Sequence, residues 1–211
     1  MARRLQGNIH LLRTFPQRDL SETRMISVHE VGHILSVHCS PFSRLPRMVT
    51  IVPSPDFKGG VFTDNPGLIS KRASIDPLRR AALRSEILFC LGGETAVEVL
   101  TGKAGGGITL GTSGDYEQVF KLLTWLYGDD EAMIDRQLQL FTELSYRLFW
   151  YKPTIRALET GADYLLEHRH LENEAVSPLL DLIDRALGSR FIREHTARIE
   201  RVLFADDLSQ V

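Results

Sequence analysis

From Ser21 to His38 apolar residues recur at helical spacing, with Met25, Val28, Val31 and Leu35 marking one face. The run predicts an amphipathic helix, and Asp19 followed by Glu22 reads as a capping box at its start. Pro41, Pro46 and Pro53 then break the period. Between them the β-branched stretch Val49-Thr50-Ile51-Val52 predicts a strand. Gly59-Gly60 ahead of Val61-Phe62-Thr63 predicts a turn and a second short strand, so a hairpin or small sheet is expected after the first helix. Asp76-Pro77 opens a second helical pattern, carried by Leu78, Ala82, Leu83, Ile87, Leu88 and Leu91 as far as Leu100, with Gly102 as its stop.

The segment from Gly102 to Gly114 holds six glycines and reads as a loop. It delivers Asp115 to the start of a third helical pattern through Val119, Leu122, Leu123 and Leu126. Beyond Gly128 the chain is helical in character, broken near Pro153, Pro178 and Gly188. The fold expected is mainly α with a small β element. It is expected to form a single domain over 1–211, with a first part, 1–127, holding the candidate chemistry and a helical part, 128–211, behind it.

Composition narrows the function classes. With 43% hydrophobic and 25% charged residues the chain is of ordinary globular type, and 211 residues suffice for a sizeable core. A net charge of -2 leaves no global basic field for nucleic acid or an anionic membrane. Arg79, Arg80 and Arg84 read as a solvated helix face. Cys39 and Cys90 stand far apart, outside any metal or redox spacing, which favours a reducing, cytoplasmic setting. The basic start Met1-Ala2-Arg3-Arg4 is not followed by the apolar core of a signal peptide, and no stretch reaches the length of a membrane span.

The chemistry lies in His29-Glu30-Val31-Gly32-His33. Four residues along a helix turn through about 400°, so both histidines project from one face and one metal ion can reach both rings. Two neutral imidazoles plus one carboxylate suit Zn2+ and leave a position for water. Glu30, between the histidines, is placed to act as the base that takes a proton from that water. The carboxylate ligand has to come from elsewhere, and three candidates compete. Glu94 and Glu98 share a helix face at i, i+4, while Asp115 opens the helix after the glycine-rich loop. Spacing does not choose among them. His38, about 140° around the helix from His33, is off the metal face. His10, His168, His170 and His195 are expected to be exposed, and Trp125, Tyr127, Trp150 and Tyr151 to be packing residues.

Four segments in order carry a resemblance: His29-Glu30-Val31-Gly32-His33, Met48-Val49-Thr50-Ile51-Val52-Pro53, Gly92-Gly93-Glu94-Thr95-Ala96-Val97-Glu98 and Leu110-Gly111-Thr112-Ser113-Gly114-Asp115. In motif order and spacing the chain resembles the peptidase domain of the FtsH family of membrane-anchored AAA+ zinc proteases, and Ala162 to Glu167 is similar to a late helical stretch of that family. The resemblance implies a zincin-like helical domain with one Zn2+ per chain held by His29, His33 and Asp115, and with Glu30 as the base. Glu98 and Glu94 then become neighbouring or alternative ligands. It further implies an endopeptidase for extended or unfolded polypeptide, with the strand Val49, Thr50, Ile51 and Val52 as the edge to which substrate adds and Phe57 or Phe62 in a specificity pocket. A ring-shaped homo-oligomer or a separate ATPase partner is implied as well, because this chain shows no phosphate-binding loop and no membrane anchor. Glu94, Val97 and Gly114 stand where the family has arginine, glutamate and asparagine, and the change at Val97 is expected to remove a carboxylate from the site's surroundings. The alternative expectation is a weakly active or inactive adaptor that regulates a separate ATP-dependent protease.

Overall fold

The computed structural model describes residues 19–42, 45–55, 57–63, 74–103 and 113–205. The basic N-terminus, His10 and most of the glycine-rich stretch before Ser113 lie outside them. Among the described residues there are seven α-helices and one three-stranded sheet, as expected for a mainly α chain with a small β element. No helix among them is long and apolar enough to cross a membrane.

Helix α1 (Glu22–His38) is the centre of the molecule. Its N-cap is Ser21, whose hydroxyl accepts from the Arg24 amide, so the capping box expected from Asp19 and Glu22 does not form. Asp19 instead pairs with Lys103 at 2.6 Å. The amphipathic expectation also fails. Every residue from Ile26 to Val37 is buried, because α1 is enclosed by other elements on its polar side as well as its apolar side.

Strands β1 (Pro46–Thr50) and β2 (Gly60–Thr63) form the expected antiparallel hairpin, with Val49 opposite Val61. A third strand, β3 (His170–Glu172), pairs with the other side of β1 and places Leu171 opposite Val49. The sheet order β2-β1-β3 makes β1 central. The expectation that Val49, Thr50, Ile51 and Val52 offer a free edge is therefore wrong. Val49 and Thr50 are paired on both sides, and past the strand's end the Ile51 amide donates to the Arg169 carbonyl and the Val52 amide to the Thr50 hydroxyl. β3 left no trace in the pattern, since three residues with one buried side chain make no alternation.

Helix α2 (Pro77–Thr101) matches its sequence signals closely. Asp76 caps it by accepting from the Arg79 amide, Pro77 occupies the first turn, and Gly102 ends it in the left-handed conformation at φ 68°. Then come α3 (Ser113–Tyr127), α4 (Glu131–Phe149), α5 (Lys152–His168), α6 (Ser177–Leu187) and α7 (Ser189–Phe204). Pro153 and Pro178 sit in first turns, and Gly188 at φ 79° separates the last two helices.

Two apolar clusters hold these elements together, and each draws on both 1–127 and 128–211. One gathers Val28, Val31 and Val97 with Leu158, Leu165 and Leu179. The other gathers Leu83, Ile87 and Leu122 with Phe141 and Leu203. Val97 is thus fully buried in apolar core.

Two polar expectations are corrected here. Arg79 and Arg84 are buried and not part of a solvated face. The Arg84 guanidinium donates to the carbonyls of Leu203 and Ala205 at 3.0 and 2.5 Å, which satisfies the C-terminal end of α7. His195 is buried as well, stacked on Phe191 with ring centroids 4.9 Å apart. His38 bridges α1 to α6 through Asp184 at 2.7 Å, a structural contact.

Candidate metal centre

Residues 29, 32, 33 and 36 of α1 form a stripe at i, i+3, i+4 and i+7, and each has its neighbour on α2. The crossing is close because both helices place glycine at it. A Cβ on Gly32 would lie 2.5 Å from the Gly92 carbonyl oxygen, and one on Gly92 would lie 2.7 Å from that of Gly32. Gly93 leaves room for the imidazole of His29, whose ring atoms would come within 2.6 to 2.7 Å of any Cβ added there. One turn before this pair, the Phe89 carbonyl lies 2.7 Å from His33 Nδ1, and the Phe89 ring stacks on the His33 ring with centroids 4.9 Å apart. An N–H at Nδ1 donated to that carbonyl leaves Nε2 bare, the tautomer a metal ligand needs.

Asp115 arrives from the first turn of α3, where the positive end of the helix favours a carboxylate. Its Oδ2 lies 3.3 Å from His29 Nε2 and 3.5 Å from His33 Nε2, and the two Nε2 atoms are 2.9 Å apart. His29, His33 and Asp115 thus offer three ligand atoms within 4.8 Å of one another, a group able to hold a metal ion. Zinc ligands at about 2.0 to 2.1 Å in a tetrahedron stand about 3.3 Å apart, so the spacing fits. Glu94 and Glu98 do not belong to the converging group. Glu98 accepts a hydrogen bond from the Tyr146 hydroxyl, and Glu94 is buried near Tyr116. Burial pushes the Glu94 carboxyl up to about 7 against the opposing effect of the Tyr116 hydroxyl.

The three side chains shift one another's proton affinities. Burial works against a charged His33, but Asp115 overrides it and raises the imidazole to about 9. Burial also works against the Asp115 carboxylate, and His33 and His29 hold it well below the ordinary range. Burial and the neighbouring His33 lower His29. Asp115 thus favours the charged form of the His33 imidazole, and the two imidazoles favour the Asp115 carboxylate.

Glu30 is buried in the same place, its Oε1 lying 2.6 Å from where a Cβ of Gly59 would stand. Burial raises its carboxyl to about 8, with His33 opposing and Asp115 adding to the rise. All four residues line a cleft of about 730 Å³ between α1, the start of α3 and the β1–β2 hairpin. Phe57 and Phe62, both expected in a pocket, line its outer wall with ring centroids 5.5 Å apart. β2 lines it too, and among the described residues its outer edge has no strand partner.

The sequence brought forward the four central residues but missed their supports. Phe89 acts through its backbone carbonyl, which no residue type announces. Gly93 and Gly59 act by absence of a side chain. Their signal was present in the doublets Gly92-Gly93 and Gly59-Gly60, of which the second was read only as a turn. No model of a known protein family matches the chain.

Proposed function

We propose that this chain is a zinc-dependent endopeptidase with the chemistry of the FtsH-type peptidase domain, acting on extended or unfolded polypeptide. The observation that carries the reading is the convergence of His29, His33 and Asp115 beside a buried Glu30 in one cleft. Two imidazoles and a carboxylate favour zinc over harder cations. The bound ion would supply Lewis-acid polarisation of the scissile carbonyl and acidify water in the cleft.

The protein's own residues divide the remaining work. His33 is oriented by the Phe89 carbonyl and His29 is fitted against Gly93, so both rings are set before metal arrives. Glu30 holds the moving proton. Buried in the cleft beside the imidazoles, its carboxylate is placed to accept a proton from water and then pass it to the departing amine. The outer edge of β2, which has no strand partner among the described residues, takes the role expected of β1. An extended substrate adds there through main-chain hydrogen bonds, with Phe62 and Phe57 beside it, which gives recognition that depends weakly on side-chain sequence.

The test is cleavage of an unfolded reporter such as casein by zinc-loaded protein, compared with Glu30→Gln. Loss of a positioned acid–base group predicts a fall of about 10² to 10⁴ in rate with zinc content unchanged. Equal cleavage by both proteins, or none by either while zinc is bound, contradicts the peptidase.

A further inference from the structure

A second cavity, of about 380 Å³, lies between α4 and α7, with α2 beneath it. The metal-site residues do not line it. Its floor is aliphatic and buried, made by Leu88, Ile199 and Val202, and Leu144 and Leu148 form half-buried walls. Arg147, Arg198 and Arg201 surround it, and no acidic side chain lines it. Arg147 already holds Glu143 at 2.7 Å, whereas neither Arg198 nor Arg201 has a carboxylate within ion-pair distance among the described residues. His195 also lines the cavity, 5% exposed, with an Nδ1 that has no hydrogen-bond partner among the described residues.

This combination selects a ligand class. Guanidinium groups over an aliphatic floor match one anionic head on an apolar body. The volume falls within the range of small-molecule sites, about 300 to 1,000 Å³. A peptide fits poorly. The cavity walls are helices whose backbone groups are bonded within the helix, and Tyr151 is already engaged by Arg198 at 2.5 Å. The amides of an enclosed peptide would lose water and gain no partner, a loss that an aliphatic chain avoids. We propose that this cavity binds an aliphatic monocarboxylate of the medium-chain fatty-acid class, its chain on the Leu88 floor and its head among the three arginines. The assignment is independent of the peptidase reading, since none of these residues belongs to the metal cleft.

The test is calorimetric titration of the metal-loaded full chain with sodium decanoate below its micelle concentration, alongside 1-decanol and decyl phosphate. Expected is one saturable decanoate site per chain, with decanol weaker by about tenfold or more for want of the charge-assisted bonds. Arg147 and Arg201 are exposed, so Arg147→Gln with Arg201→Gln leaves the fold intact, to be verified by thermal melting, and weakens decanoate by a similar factor. No saturation by decanoate, equal binding of decanol, or an unchanged double variant overturns the proposal. Tighter binding of decyl phosphate overturns the carboxylate assignment, and a leucyl-leucine dipeptide binding better than decanoate overturns the aliphatic one.

Discussion

The two sides of α1 are buried by opposite means. Toward α5 and α6 the helix presents Val28, Val31 and Leu35, which join Leu158, Leu165 and Leu179 in an ordinary apolar core. Toward α2 it presents His29, Gly32, His33 and Ser36, polar or small residues at the same helical spacing. On the first side contacts run between side chains, as where a Cβ on Gly161 of α5 would meet Val31 Cγ1 at 2.9 Å. On the second side backbone meets backbone through paired glycines, and the space so saved is filled with imidazole rings. Burying polar groups this way costs stability, since His29 Nδ1 finds no hydrogen-bond partner among the described residues and burial raises the Glu30 carboxyl above its usual range. The buried, polar, tightly crossed side carries the candidate metal ligands, and the opposite side joins the apolar core.

That contrast breaks most readily at the glycines. Gly32→Ala places a Cβ 2.5 Å from a backbone oxygen that has no room to move, and a loss of about 3 kcal/mol is expected in denaturant unfolding. Gly161→Ala, on the α5 side, meets only side chains, Val31 at 2.9 Å and Leu179 at 3.5 Å, and about 1 kcal/mol is expected because side chains can shift. Equal losses at the two positions would remove the distinction between the crossings.

Acidification probes a buried polar group away from the site. Burial, with Arg198 alongside, lowers His195 from the ordinary 6.5 to about 4. As pH falls through this window the unfolded chain takes the proton first, so the stability held by neutral His195 is complete above about 6.5 and is lost progressively toward 4. Up to about 3 kcal/mol is at stake, and His195→Phe should flatten that part of the stability curve.

A smaller change sharpens the account of the site. Gly93→Ala pushes into the His29 ring and should weaken zinc by about 10- to 100-fold in competition with a chelator, as loss of a ligand's orienting contact does. The smallest effect is expected at the surface. Lys103→Ala breaks the pair with Asp19, both exposed, and should move stability by less than about 0.5 kcal/mol.

Much of this was legible in the sequence. Helix α1 with its two histidines, the hairpin, both ends of α2 and the start of α3 near Asp115 were marked by caps, prolines, glycines and the spacing of the histidines. What escaped depends on where a side chain ends up after folding. The apolar positions of α1 were legible as one buried face, but the enclosure of the whole helix was not, nor the burial of Arg84 and His195, because burial of a polar residue is decided by distant helices. The central place of β1 escaped because β3 arrives from residue 170, too short to show a period. The choice of Asp115 over Glu94 and Glu98 was open on spacing alone, and it is the geometry that brings Asp115 to both imidazoles.

The central claim is that His29, His33 and Asp115 hold one metal ion. Elemental analysis of the purified chain beside Asp115→Ala, each dialysed against the same limiting zinc, tests it most directly. The account predicts about one zinc per chain in the natural protein, by a three-residue ligand set with an open position, and a loss of most of it in the variant with the fold retained. Equal zinc in both proteins would give the third ligand to another carboxylate, and a folded natural chain that binds none would contradict the site altogether.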